Sequence, residues 1–222
     1  MCIDRGIVRT MAVVFCAAAV AASAEASPIL NQSFEDGAFV ANAAQGTMTL
    51  NVGSTTITNW TVVADALAWI DSPNPWFLSA QDGNKFLDLT NFQAGAPFGG
   101  VTQTIATDVG AAYTLSYYLG SYTARWGGPP VAITATAGNA IQTCTDNTVS
   151  IVSTWSLCTV PFVALSTSTA VTLVGAAGVH YVGLDNVSVV QRPVPEPVPE
   201  PSAMILFGAG LAGLISRARR RR

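Results

Sequence analysis

Apolar residues from Ile29 onward come in short runs, several of them strictly alternating, and turn-forming clusters separate the runs. Tyr113, Leu115, Tyr117 and Leu119 share one face of an extended segment, with Thr114, Ser116 and Tyr118 on the other; Val131, Ile133, Ala135 and Ala137 oppose Ala132, Thr134 and Thr136 in the same way. The pattern predicts strands over 29–35, 60–63, 66–71, 85–90, 101–106, 113–120, 131–137, 148–153, 159–165, 170–175 and 182–190. Turns are marked by Asp36-Gly37, Ser72-Pro73-Asn74-Pro75, Asp82-Gly83-Asn84, the glycines from Gly95 to Gly100, and Gly127-Gly128-Pro129-Pro130. So many short strands cannot lie in one open sheet without leaving an apolar face in water. The expected fold is all-β, a two-sheet antiparallel jelly-roll sandwich. Trp60 and Trp69 fall in strands and are expected in its core.

The two ends break this pattern. At the start, Arg5 and Arg9 precede an uncharged stretch from Met11 to Val20 and the overlapping small-residue sites Ala22-Ser23-Ala24 and Ala24-Glu25-Ala26. The run is too short to span a bilayer, so 1–26 reads as a secretory signal peptide cut after Ala24 or Ala26. A single domain is expected over 27–192. After it come a proline-rich spacer at 193–201, an uncharged run at 202–216 that includes Gly208, Gly210 and Gly213, and an arginine cluster at 217–222. Alternating prolines hold an extended, semi-rigid chain. The apolar run would be about 21 to 23 Å long as a helix, short of a hydrocarbon core of ~30 Å, so it can anchor only marginally. Its arginines belong on the cytoplasmic side.

Val198-Pro199-Glu200-Pro201-Ser202, followed by a short glycine-containing apolar segment and terminal arginines, resembles the PEP-CTERM sorting signal of Gram-negative bacteria. The resemblance implies that Pro199, Glu200 and Pro201 are read by exosortase, a membrane protease-transpeptidase. The chain would leave through the export translocon, sit transiently in the inner membrane by its C-terminal segment, and move to the cell surface or extracellular matrix once the tail is removed. The plainer reading of the same residues is a tail anchor that is never processed.

Charge sharpens the picture. The chain is 50% hydrophobic and only 10% charged, and five of its ten basic residues lie in the last six positions. Residues 27–192 hold nine acids against Lys85, Arg125 and Arg192, a net charge of −6. Such a surface repels phosphate backbones, which argues against nucleic-acid binding. With Cys2 and Cys16 inside the signal peptide, Cys144 and Cys158 remain, and an exported chain meets an oxidising compartment, so these two are expected to pair. Two cysteines and the single His180 do not make a zinc site.

Asn31-Gln32-Ser33-Phe34-Glu35-Asp36-Gly37, Asn59-Trp60-Thr61-Val62, Asp82 to Leu89, Gly99 to Ile105, and Gly183-Leu184-Asp185-Asn186-Val187 together resemble a galactose-binding-like jelly roll of the carbohydrate-binding-module type. That resemblance implies a structural calcium ion with Glu35 and Asp185 as ligands, the hard oxygen donors calcium prefers. The alternative is that both residues merely begin turns.

Sugars bind to flat aromatic faces beside hydrogen-bonding groups. Trp76 and Phe77, Tyr122, Arg125 and Trp126, and Trp155 inside the cysteine loop are the candidate contacts, with packing over the end of the sandwich as their other reading. The pairs Asp82 with Asp88 and Asp65 with Asp71 are the only carboxylates that suggest glycoside hydrolysis. No nucleophile-base motif or phosphate-binding loop accompanies them. The sequence thus reads as an exported, surface-sorted, non-catalytic protein that binds extracellular polysaccharide. A self-assembling coat protein without sugar affinity is the alternative, and a glycan-active enzyme a third.

Overall fold

The structure, a computed structural model, describes residues 27–42, 45–125 and 127–193. The signal peptide, the sorting residues Pro199, Glu200 and Pro201, the segment 202–216, the arginine tail and Trp126 lie outside these residues. Among the described residues there are eleven strands: β1 (Thr47–Leu50), β2 (Thr61–Val63), β3 (Leu67–Asp71), β4 (Lys85–Asp88), β5 (Gly100–Ala106), β6 (Ala112–Ser121), β7 (Val131–Ala137), β8 (Ala140–Asp146), β9 (Thr154–Val163), β10 (Ser168–Ala177) and β11 (Gly183–Gln191). They form a six-stranded sheet in the order β1-β3-β4-β11-β6-β9 and a five-stranded sheet in the order β2-β5-β10-β7-β8. Every pairing is antiparallel, as a jelly-roll sandwich requires. No helix long and apolar enough to cross a membrane occurs among the described residues.

The alternating segments do what their pattern demands. Tyr113, Leu115, Tyr117 and Leu119 on β6 and Val131, Ile133, Ala135 and Ala137 on β7 turn into the space between the sheets, where they pack with Leu173 and Val189. Trp60 and Trp69 are buried there too.

Two expected strands take another form. Residues 29–35 curl into a plug, because Asn31 and Phe34 adopt left-handed backbone conformations (φ 52° and 58°). Ile29 and Phe34 enter the core, and the carbonyls of Asn31 and Phe34 accept the indole N–H groups of Trp60 and Trp69, each at 3.0 Å. Residues 148–153 belong to the loop between β8 and β9, with Val149, Ile151 and Val152 exposed. The strand in that region is β8, whose largely exposed residues give no buried-face alternation to read.

Cys144 on β8 and Cys158 on β9 form the expected disulfide, with Cα atoms 6.1 Å apart. The two strands belong to different sheets, so the bridge fastens one side of the sandwich. Closing a loop of this length contributes roughly 3 kcal/mol in the chain-entropy treatment.

Candidate functional site

Two carboxylates converge on the loop that precedes β4. Glu35 Oε1 accepts the amides of Asn84 (2.7 Å) and Lys85 (2.6 Å), and Oε2 lies 3.6 Å from Lys85 Nζ. Asp185 Oδ2 accepts the amides of Gln81 (2.7 Å) and Asp82 (3.0 Å), and Oδ1 that of Asn186 (2.7 Å). Ser33 Oγ donates to Asp82 at 2.6 Å, and the Asn186 side chain donates to Gln81 at 2.7 Å. Gly83 makes the approach possible: its φ is +66°, and a Cβ there would collide with the Glu35 carboxylate. Burial pushes Asp185 up to about 7, against the pull of the Asp82, Gln81 and Asn186 amides, and the nearby Asp82 charge adds to the rise.

Calcium needs about six to eight oxygen ligands. Here Glu35 Oε1 and both Asp185 oxygens accept amide hydrogens, while Glu35 Oε2 faces Lys85, so the two carboxylates hold the backbone of the loop. Among the described residues no group of three or more His, Cys, Asp or Glu could hold a metal ion.

Three of the aromatic candidates, Trp76, Tyr122 and Trp155, gather on the outer face of the six-stranded sheet. Strands β3 and β4 turn Leu67, Trp69 and Leu87 inward, which places Ala68, Ile70 and Phe86 outward. These three, with Leu78 and Tyr181, form a second buried cluster. Trp76, Phe92, Tyr122 and Trp155 pack over it, each only partly buried. Gly120 and Gly183 are directly paired on this face and leave room for the rings. A Cβ on Gly120 would meet both the Trp155 ring and the Tyr181 hydroxyl at 2.7 Å.

Specific contacts fix the ledge. The Trp155 ring stands edge-to-face on Phe86 at 5.9 Å, and its indole N–H donates to the Ser79 carbonyl at 3.0 Å. Trp76 packs on Phe92 at 5.5 Å. Phe77 is 70% exposed, with the Arg125 guanidinium 5.3 Å from its ring centroid. Trp76, Tyr122 and Trp155, distant in sequence, therefore meet on one surface, and Arg125 contacts Phe77 beside Trp76 in the chain. Trp155 stands on β9 just before Cys158. Tyr118 extends the same face, because it pairs with Leu157 two residues along from the Gly120 and Trp155 pair. Its position on the polar side of the β6 alternation was the available signal, and it marks an outer-face residue.

Of the acidic pairs, Asp88 is fully buried, accepting the amides of Thr90, Phe92 and Val182. Desolvation raises it to about 6, with those amides opposing. Asp82 is engaged by Ser33.

Two packed antiparallel sheets, a bridge between them and an aromatic ledge on one outer face define a jelly-roll domain. The chain belongs to the family described as Protein of unknown function (DUF642), which matches residues 27–180. Residues 197–222 match the PEP-CTERM protein-sorting motif, which marks the protein as exported and sorted to the surface and implies processing by exosortase. Halomucin of Haloquadratum walsbyi (strain DSM 16790 / HBSQ001) is 26% identical over 189 residues, 84% of this chain, and the chain spans 2% of halomucin's length. Among solved structures, TmCBM61 in complex with beta-1,4-galactotriose is similar with a TM-score of 0.48 and 13% identity, over 76% of this chain and 100% of that one. The CBM22-1 xylan-binding domain of Paenibacillus barcinonensis Xyn10C gives 0.41 and 14%, over 69% and 99%.

Proposed function

We propose that the domain is a non-catalytic carbohydrate-binding sandwich that holds an exported protein to extracellular polysaccharide. What supports this reading is the ledge: Trp76, Tyr122 and Trp155, from three segments of the chain, pack on one outer cluster, and Phe77 and Arg125, close to two of them in sequence, contact each other. Partly exposed rings offer apolar faces to the C–H side of a sugar, and Arg125 offers donors to its hydroxyls. The enclosure of Asp88 and the engagement of Asp82 by Ser33 speak for binding over hydrolysis, which needs two carboxylates flanking a bond.

In this proposal, 1–26 takes the chain through the export translocon, and 202–216 holds it in the inner membrane with 217–222 in the cytoplasm. Exosortase acting at Pro199, Glu200 and Pro201 then releases it to the matrix. A calcium ion at Glu35 and Asp185 would use the carboxylate lone pairs left beside those amides and take the rest of its shell from other oxygens.

Tryptophan fluorescence tests the binding reading. Titration with soluble polysaccharides, including the producing cell's own exopolymer, is expected to give a saturable change that Trp155→Ala reduces. A flat response to every member would overturn it.

A further inference from the structure

The edge of a β-sheet is a row of unsatisfied amides and carbonyls, and proteins that do not use an edge blunt it. Three of the four edges of this sandwich are blunted. β1 has four residues, and its Thr47 carbonyl accepts the Asn42 amide at 2.8 Å. β2 has three, and Val62 exchanges hydrogen bonds with Gly53 (2.8 Å) and Ser54 (2.9 Å) on the side away from β5. β9 is long but carries Pro161, which has no amide to offer.

β8 has none of these devices. Its seven residues run in unbroken register with β7, from Ala137 opposite Ala140 to Val131 opposite Asp146. It contains no proline and no bulge, and its only charge is Asp146 at the end. Ile141 is 78% exposed. The Cys144 bridge holds the strand to β9 and keeps the edge from fraying, so little order has to be gained on pairing.

Charge selects the occupant. With nine acids against three bases in residues 27–192, two copies of the domain repel one another in most orientations. The five-stranded sheet is the exception: Asp146 is the sole charged residue in its strands. Its outer face carries a row of hydroxyls in register, Thr61 beside Thr102, Thr102 beside Thr172 and Thr172 beside Thr136. An edge of this kind meets its own copy without opposing charge, and an antiparallel pair of identical strands is self-complementary.

We propose that β8 is a self-association edge, where the β8 strands of two copies pair antiparallel about a two-fold axis at Thr143. This register keeps all seven residues in the ladder and sets Ile141 of one copy beside Thr145 of the other. Two five-stranded sheets become one continuous sheet of ten. The aromatic ledge lies on the other sheet, so pairing leaves it open and a dimer presents two ledges.

Hydrogen exchange tests this with the full chain in mild detergent at rising protein concentration. Exchange at 140–146 is expected to slow with concentration while 154–163 on β9 is unaffected. Thr143→Lys, which sets two cations face to face, is expected to lose the slowing, and Thr159→Lys on the β9 edge to keep it. Exchange at 140–146 independent of concentration in the wild-type chain would overturn the proposal. So would slowing that persists in Thr143→Lys or is shared equally by β9.

Discussion

Glu35 and Asp185, near the two ends of the folded domain, hold neighbouring amides of one loop: Glu35 those of Asn84 and Lys85, Asp185 those of Gln81 and Asp82. The N-terminal plug and the last strand are thereby tied to the same turn. Glu35→Ala leaves two amides without their acceptor and is expected to cost about 1 to 3 kcal/mol. The check is a lower thermal midpoint, with faster hydrogen exchange at Asn84 and Lys85.

The same geometry makes a prediction about metal. With one oxygen of Glu35 and both of Asp185 holding amides of the loop, these contacts carry the turn, and excess EDTA is expected to leave the thermal midpoint of the purified protein unmoved. A midpoint that falls with EDTA and returns with calcium would put the ion at Glu35 and Asp185 after all.

Asp88 gives a pH dependence. Its carboxyl is raised from 3.8 to about 6 in the folded protein, so between these values the folded chain binds more protons than the unfolded one. Its contribution is fully present below about pH 4 and is lost as pH rises through about 6, with a magnitude of a few kcal/mol at roughly 1.4 kcal/mol per unit. Unfolding by urea at a series of pH values is expected to show stability declining across that window. Asp88→Asn should remove its share of the decline and leave the share of Asp185, whose carboxyl is raised to about 7.

Loss of the bridge between the sheets is expected to destabilise without abolishing the fold. The double variant Cys144→Ser with Cys158→Ser should lose roughly 3 kcal/mol in denaturant titration. An unchanged midpoint would mean that packing between β8 and β9 alone closes that side.

The sequence revealed most where burial imposes alternation. Tyr113 to Leu119 and Val131 to Ala137 announced their strands because one face of each is inside. β8 was hidden for the opposite reason: Ile141, Gln142, Thr143 and Thr145 face solvent, and an edge strand need not alternate. The apolar spacing of 29–35 predicts a strand because Ile29 and Phe34 are core residues, and that spacing cannot see the left-handed turns at Asn31 and Phe34. At the site, loop aromatics were legible as candidates. Their meeting over Phe86 was not, since it depends on the directly paired, side-chain-free Gly120 and Gly183.

The central claim is that the ledge binds polysaccharide, and the most direct measurement is equilibrium binding of the purified protein to the producing cell's exopolymer. Wild type, Phe77→Ala and Trp155→Ala would be compared at matched folding. Saturable wild-type binding that weakens by about tenfold or more in each variant is the predicted result, the usual effect of removing a central aromatic contact. Absence of saturable binding, or binding untouched by both substitutions, would contradict it.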